Sequence, residues 1–342
     1  MTAPPAKVLL VRFSSIGDIV LTTPIVRAIK QQWGSEVHYL TKPAYAALLA
    51  HNPYIDRLHL LPKDFSSLAA TLRAERFDVV IDLHKNLRTL RLRAALRCPW
   101  VAFDKLNLRK WLLVNFKFDR MPAHHIVERY RAAAHTAHPL HLDGRGLDYF
   151  LPPDGAFYDP EVLLNAGLEP FGYVAVVIGA AHATKRLPEA QLLEVCRQIE
   201  LPIALLGGPA ERAAGEQLAA QFGERCHNFC GYASLHESAR LLRDAQRVIT
   251  PDTGMMHIAA AFNKPIVSVW GNTVPALGMT PWLPREAPAP SRLFEVPGLD
   301  CRPCSKIGYA ECPKGHFKCM RLQDTTAIGR TLASNAQRRP AP

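Results

Sequence analysis

Three observations predict an α/β protein of two Rossmann-like domains with a cleft between them: the chain's length, a twice-run alternation of β-rich and helical segments, and a Pro/Gly/Asp-rich break near the middle. At 342 residues the chain exceeds what one hydrophobic core usually serves, and about 150 residues per domain makes two. In the first half, apolar β-rich runs at 7–13, 37–41 and 79–83 alternate with helical patterns, the first of which reaches Trp33. In the second half, strands are expected at 173–178, 203–206, 247–250 and 266–270, with helices at 188–199, 210–222, 235–244 and 255–262. The segment 151–160, LPPDGAFYDP, reads as the linker, so an N-terminal domain at 1–152 and a C-terminal domain at 153–342 are expected. Such sheets bind ligands beyond the carboxyl ends of their strands, so the informative residues are those just after each strand.

Composition sets the class. With 48% hydrophobic and 21% charged residues the chain is globular rather than disordered. Arg12 interrupts the N-terminal apolar run too early for a secretory signal, and nowhere do roughly eighteen apolar residues run together, so a cytoplasmic protein is expected. There, eight cysteines should be reduced thiols or metal ligands. The net charge of +11 fits nucleic acid, an anionic membrane surface or a phosphorylated substrate. The basic stretch RTLRLRAALR at 88–97 lacks interleaved aromatics for stacking bases, which argues against nucleic acid. Phosphorylated substrates and peripheral contact with an anionic inner-membrane surface remain, the latter at about 1 kcal/mol for each nearby Lys or Arg. The Pro-rich stretch 281–290 reads as an ordered surface excursion, and the tail after Ala333 as frayed.

The first strand runs into Ser14-Ser15-Ile16-Gly17-Asp18 and then a helix. An Asp there is favoured by the helix dipole whatever the function; alternatively it is a carboxylate facing the cleft, able to take a proton from an attacking hydroxyl. A nicotinamide enzyme would want G-x-G-x-x-G at this turn and an acid after the second strand, and neither is present. In the second half, Lys185 follows one strand as a point charge for phosphate, or as a solvated loop lysine. Gly207-Gly208-Pro209-Ala210-Glu211 follows the next, with Glu211 suited to ribose hydroxyls or simply to a helix start. Thr250-Pro251-Asp252-Thr253-Gly254-Met255-Met256-His257 follows the third, where backbone amides at a helix start would meet a phosphate.

The segments VLLVRFSSIGDIVLTTP, ATKRLPE, LGGPAE and PDTGMMHIAAAFNKPIVSVWGNTVP, in this order and spacing, closely resemble the lipopolysaccharide heptosyltransferases of glycosyltransferase family 9, over residues 7 to about 275. The resemblance implies a GT-B architecture, an ADP-heptose donor held mainly by the C-terminal domain, inverting transfer without a metal cofactor, and a lipopolysaccharide core precursor as acceptor. By position it implies Asp18 as general base and Lys185 as the phosphate-binding lysine. Thr184, Glu211, Asp252, Thr253, Gly254 and His257 are the implied donor contacts. Ser14, Ser15, His84, Lys85, Asn86 and Arg88, which follow the first and the 79–83 strands, are nominated as acceptor contacts.

One feature departs from the simplest members of that family. Cys301, Cys304, Cys312 and Cys319, with His316 among them, offer a C-x-x-C pair and two further thiols that a tetrahedral structural metal would accept, while an unligated set or a disulfide are the other readings. Cys98, Cys196, Cys226 and Cys230 read as small apolar residues. The alternatives to the implied activity are a related transferase with another nucleotide sugar or a protein acceptor, and a non-catalytic nucleotide-sugar or anionic-lipid binder.

Overall fold

The computed structural model describes residues 3–62, 64–153 and 167–333. Two all-parallel sheets carry it. The first holds β1 (Lys7–Val11), β2 (Glu36–Thr41), β3 (Arg57–Leu60), β4 (Val79–Asp82) and β5 (Trp100–Ala102) in the order β3-β2-β1-β4-β5. The second holds β6 (Val174–Val177), β7 (Ile203–Leu206), β8 (Cys226–Asn228), β9 (Arg247–Pro251), β10 (Ile266–Trp270) and β11 (Ser291–Glu295) in the order β11-β10-β9-β6-β7-β8. In each, strand order reverses at one pair, β1/β4 and β6/β9, and crossovers on opposite faces leave a crevice there.

The side-chain period of two explains how each strand is buried on both faces. On β1, Val8 and Leu10 enter a core shared with the second sheet, while Leu9 and Val11 enter a separate one. On β6, Ala175 and Val177 join that shared core, and Val174 and Val176 point the other way.

Helices α1 (Ile16–Val20) and α2 (Thr23–Trp33) replace the single helix expected up to Trp33. The chain breaks at Leu21 and Thr22, just before Pro24 can seat in the first turn of α2 without giving up a hydrogen bond. After α3 (Phe65–Ala74) come α4 (Leu87–Leu96), α5 (Asn107–Phe116) and α6 (Ile126–His135). The second half carries α7 (Glu189–Arg197), α8 (Arg212–Ala220), α9 (Leu235–Asp244), α10 (Gly254–Ala261), α11 (Lys318–Arg321) and α12 (Thr325–Ala333). The expected strands and helices of this half appear within a few residues of their expected bounds, whereas β3, β5, β8 and β11 are strands the sequence reading did not anticipate. All four are short or carry exposed residues, so their apolar signal is weak.

Of the expected linker, residues 154–160 lie outside the described residues, as does the tail after Ala333. The 281–290 stretch does more than cover surface. Arg285 N donates to Gly144 O at 2.8 Å, and Trp282 lies 4.7 Å from the His125 ring, so this return segment ties the second sheet's connections to α6 and its neighbours.

Candidate active site

The turn after β1 brings Asp18 to the third position of α1, where its carboxylate closes a capping box: Ser15 N and Ser15 Oγ donate to Oδ2 at 3.2 and 2.8 Å. Its other oxygen, Oδ1, lies 2.6 Å from Arg12 Nη2. Burial works against the charge on Asp18, but Arg12 and the Ser15 hydrogen bonds outweigh it and hold the carboxyl below the usual carboxylate range. Arg12 is itself fixed by Ser14 O and Leu83 O, and its guanidinium lies 5.9 Å from the Tyr130 ring. In the sequence Arg12 is only a break in an apolar run; it becomes the carboxylate's partner because α1 turns Asp18 back onto it, while Leu83 O, just after the neighbouring β4, holds its guanidinium.

Across the crevice stands the first turn of α10. A Cβ on Gly17 would fall 2.6 Å from His257 Cδ2, and one on Gly254 would fall 2.6 Å from Ile16 Cγ2 and 3.1 Å from Gly17 N. The two motifs, some 240 residues apart in sequence, thus meet glycine to glycine. His257 is 1% exposed, and burial pushes its imidazole down to about 4 against the pull of Asp252 and Asp18. It is neutral at physiological pH, and its Nδ1 has no partner among the described residues.

Lys185, in the loop after β6, points at the loop after β9: Nζ donates to Asp252 Oδ2 at 2.6 Å and to Asp252 O at 3.2 Å. Thr273 Oγ1 donates to the same Oδ2 at 2.9 Å. Thr253 caps α10 with its backbone only, its hydroxyl lying 3.3 Å from Thr250 Oγ1. The structure therefore gathers Asp18, Lys185, Asp252, Thr253, Gly254 and His257 around the two switch points.

Other nominated residues are engaged elsewhere. Thr184 is 2% exposed, and its hydroxyl accepts from Tyr309 N at 2.8 Å and donates to Tyr309 O at 3.1 Å, bracing the loop. Glu211 holds Gly208 N at 2.9 Å and Arg186 Nη1 at 2.9 Å, tucked so tightly that a Cβ on Gly179 would meet its Oε2 at 2.9 Å. Asn86 caps α4 with its side-chain oxygen, accepting from Arg88 N at 2.9 Å and Thr89 N at 3.0 Å. Ser15 is likewise committed to Asp18, and Ser14 holds Arg12 through its carbonyl. His84 packs its ring 4.8 Å from Phe13; burial, with Arg12 and Lys105 nearby, pushes it down to about 4, and Nδ1 lacks a partner among the described residues. Lys85 and Arg88 are exposed beside it.

Two buried polar residues and one half-buried lysine carry no signal in the sequence. Arg129 on α6 is 8% exposed, with Nε and Nη1 unpartnered among the described residues and only Nη2 reaching Leu277 O at 3.3 Å. Lys110 on α5 is pushed down to about 8 by burial and by the neighbouring Arg129 charge. Asn272, after β10, leaves both amide atoms unpartnered among the described residues although it is 1% exposed. Buried polar groups are nearly always satisfied, so the unpartnered atoms of Arg129 and Asn272 are exceptions that a bound polar group would satisfy. Helical and strand periodicity register apolar faces and gave no sign of them.

The four late cysteines lie near enough to one another that the charges of Cys304, Cys312 and Cys301 act on Cys319. Cys304 Sγ donates to the Cys301 carbonyl at 3.0 Å and Cys301 Sγ lies 3.9 Å from His316 Nε2, but no three of the ligand atoms in this segment come within 4.8 Å of one another. Burial keeps Cys304 and Cys319 as thiols, up to about 11 and about 12. The segment also supports the site. Arg302 donates to the carbonyls of Trp270, Gly271 and Thr273, Cys304 N donates to Asn272 O at 3.0 Å, and Tyr309 holds Thr184. Cys196, Cys226 and Cys230 are buried and Cys98 half-buried, as small apolar residues would be. Among the described residues no helix is long and apolar enough to cross a membrane.

Residues 65–289, more than half of the chain, match the profile of glycosyltransferase family 9 (heptosyltransferase). Lipopolysaccharide heptosyltransferase 1 of Pseudomonas aeruginosa is 28% identical over 329 residues, covering 88% of this chain and 86% of that protein. Lipopolysaccharide heptosyltransferase 2 of Escherichia coli is 22% identical, covering 79% and 84%. Among solved structures, E. coli ADP-heptose LPS heptosyltransferase II superposes with a TM-score of 0.66 at 19% identity over 94% of this chain and 98% of that one. E. coli heptosyltransferase WaaC with ADP-2-deoxy-2-fluoro heptose gives 0.64 at 20% identity over 96% and 100%. The two parallel sheets thus form the GT-B architecture of two Rossmann-like domains, and the chain belongs to glycosyltransferase family 9, the heptosyltransferases.

Proposed function

We propose that this glycosyltransferase moves heptose from ADP-heptose onto a lipopolysaccharide inner-core acceptor on the cytoplasmic side of the membrane, by inversion and without a divalent metal. The domain division proposed is 1–152 for the acceptor and 153–342 for the donor. The observation that carries the reading is the meeting of α1, which bears Asp18, with the first turn of α10 across the crevice, a proposed base on one side and a helix start suited to an anion on the other.

In this reading the donor diphosphate lies against the amides that open α10, and Lys185 turns part of its charge from Asp252 to the phosphate oxygens. Asp252 serves to aim Lys185 and Thr273, since its own charge would repel the diphosphate. Glu211 takes the ribose through whatever hydrogen-bonding capacity Gly208 and Arg186 leave it. Three contacts already occupy the Asp18 carboxylate, which has about four lone-pair positions, leaving one for the acceptor hydroxyl. The acceptor oxygen attacks the anomeric carbon from the face opposite ADP, the carbon–phosphate-oxygen bond breaks with its electron pair leaving on ADP, and the proton passes to Asp18. A carboxylate held this acidic takes the proton late, once the oxygen is bonding to carbon and has become acidic itself. Arg129 and Lys110 supply positive charge for an anionic group of the acceptor, with His84, Lys85 and Arg88 at its edge.

The test is release of ADP from ADP-heptose that depends on a truncated inner-core acceptor and persists in EDTA. Calorimetric titration with ADP and UDP, on wild type and Lys185→Ala, checks the donor half. Equal affinity for both nucleotides, or no loss in the variant, would defeat it, and turnover with another nucleotide sugar in preference would replace the donor assignment.

A further inference from the structure

On the first sheet, two histidines and a carboxylate converge away from the crevice. The period of two sets His38 on the same face of β2 as Leu40, because Val37 and Tyr39 enter the core shared with the second sheet. Parallel register puts Leu40 opposite His59, so His59 stands on that face of β3 as well. Helix α3 packs over the same face through Leu68 and Leu72 and ends beside Glu75, at the amino end of the strands. Phe77 walls the apolar side, its ring edge-on at 5.1 Å from the His38 ring and 6.5 Å from the His59 ring.

His38 Nδ1 and His59 Nε2 are 2.8 Å apart, and these two atoms and a Glu75 oxygen all lie within 4.8 Å of one another. Both histidines are buried. The second nitrogen of His38, Nε2, is 2.7 Å from Glu36 Oε1. An ionised carboxylate can only accept, so Nε2 carries the hydrogen and Nδ1 presents its lone pair to His59. A carboxylate behind an imidazole in this way fixes the tautomer and ring orientation of metal-bound histidines. Glu75 pairs with Lys7 at 3.1 Å and with Arg57, and about two of its four lone-pair positions stay open. Lys7 also lies 3.1 Å from Glu36, so two carboxylates and two cations balance around the histidine pair.

We infer that His38 Nδ1, His59 Nε2 and a Glu75 carboxylate oxygen bind a divalent transition-metal ion of the zinc class, with water completing the coordination. Two imidazoles and one carboxylate suit zinc and its first-row neighbours, whereas magnesium and calcium prefer all-oxygen sites. Bonds of about 2.0–2.1 Å at a tetrahedral ion hold two nitrogens about 3.3 Å apart, so the rings need part by only about 0.5 Å. His59 moves its hydrogen from Nε2 to Nδ1, and no net proton is released. The ion would tie β2 and β3 to the end of α3. This lies beyond the proposed function and does not depend on it, because Asp18 and the crevice are at the other end of the strands.

The experiment is titration of the EDTA-stripped full chain with zinc and with cobalt(II), Cys301→Ser and Cys304→Ser being introduced so that those thiols do not compete. One equivalent should bind and raise the thermal midpoint, and magnesium should not substitute. Cobalt should give the visible absorption of a tetrahedral nitrogen and oxygen site without a sulfur-to-metal charge-transfer band. Glu36→Gln, at an exposed residue, should weaken binding about 10- to 100-fold, and His59→Gln should weaken it at least as much. In EDTA both variants should keep the parent's circular dichroism, so the loss reports on the ligands and not on folding. No metal bound by the stripped chain, unchanged affinity in both variants, or a sulfur charge-transfer band would each overturn the site and leave a hydrogen-bonded histidine pair in its place.

Discussion

The imidazole of His257 occupies the space that a side chain on Gly17 would need: a Cβ there would lie 2.6 Å from His257 Cδ2 and 3.3 Å from Nε2. Gly17 is thus required by what stands opposite it rather than by its own backbone angles. Gly17→Ala should cost about 1–3 kcal/mol of stability, as overpacking of a filled site does, and should depress transfer further than Ala at the solvent-facing Gly34 does. Thermal midpoints and single-turnover rates of the two variants decide this. A Gly17→Ala enzyme with wild-type midpoint and rate would mean the two helix starts separate freely.

Asp18→Asn should fold, bind ADP and lose most transfer, because the amide keeps the shape but cannot take a proton. General-base catalysis contributes typically 10²- to 10⁴-fold. In this structure the substitution also strips Arg12 of its counter-charge, so some loss of midpoint is expected alongside. A single-turnover rate within about threefold of wild type at saturating donor and acceptor would remove Asp18 as the base.

Arg129→Met separates binding from stability. Its guanidinium is buried with two nitrogens unpartnered among the described residues, so the uncharged side chain should leave the thermal midpoint unchanged or raise it. The acceptor KM should rise about tenfold or more while ADP affinity holds, since a charge-assisted hydrogen bond is worth about 1.5–3 kcal/mol. An unchanged acceptor KM would return Arg129 to a purely structural place between α6 and Leu277.

Stability should fall with acidity in a window set by the buried histidines. His257, His84 and His59 are pushed by burial to about 4, below the value of about 6.5 they regain on unfolding. Their neutral forms contribute full stability above pH 6.5 or so; below it the unfolded chain binds protons that the native chain refuses, and stability is lost as pH drops toward about 4. Each such group can contribute on the order of 1–3 kcal/mol. Thermal midpoints across this range should decline in wild type and decline less steeply in His257→Gln. Parallel profiles for the two would show that His257 titrates normally.

Much of the molecule was determined by local sequence. Strands buried on both faces, such as β1, β6, β7, β9 and β10, read as continuous apolar runs because neither face touches water, and the glycine and acid after β1, β7 and β9 stood out as the loops to examine. The strands it missed, β3, β5, β8 and β11, are short or partly exposed, and little burial leaves little pattern. Tertiary structure decided the rest. Lys185 and Asp252 are separate motifs until parallel pairing of β6 with β9 sets their loops side by side. Likewise, Arg12 is a break in an apolar run until α1 turns Asp18 back onto it. Arg129 and Asn272 draw their meaning from being buried with polar atoms unpartnered among the described residues, a property of the packed chain that no spacing encodes. The late cysteines make the same point from the other side: their spacing admits a metal, but the packing of Arg302, Cys304 and Tyr309 against the site loops makes the segment a brace. Spacing states which residues are near in sequence, whereas charge pairing and desolvation depend on distances in space, and those are set only once the two sheets have packed together.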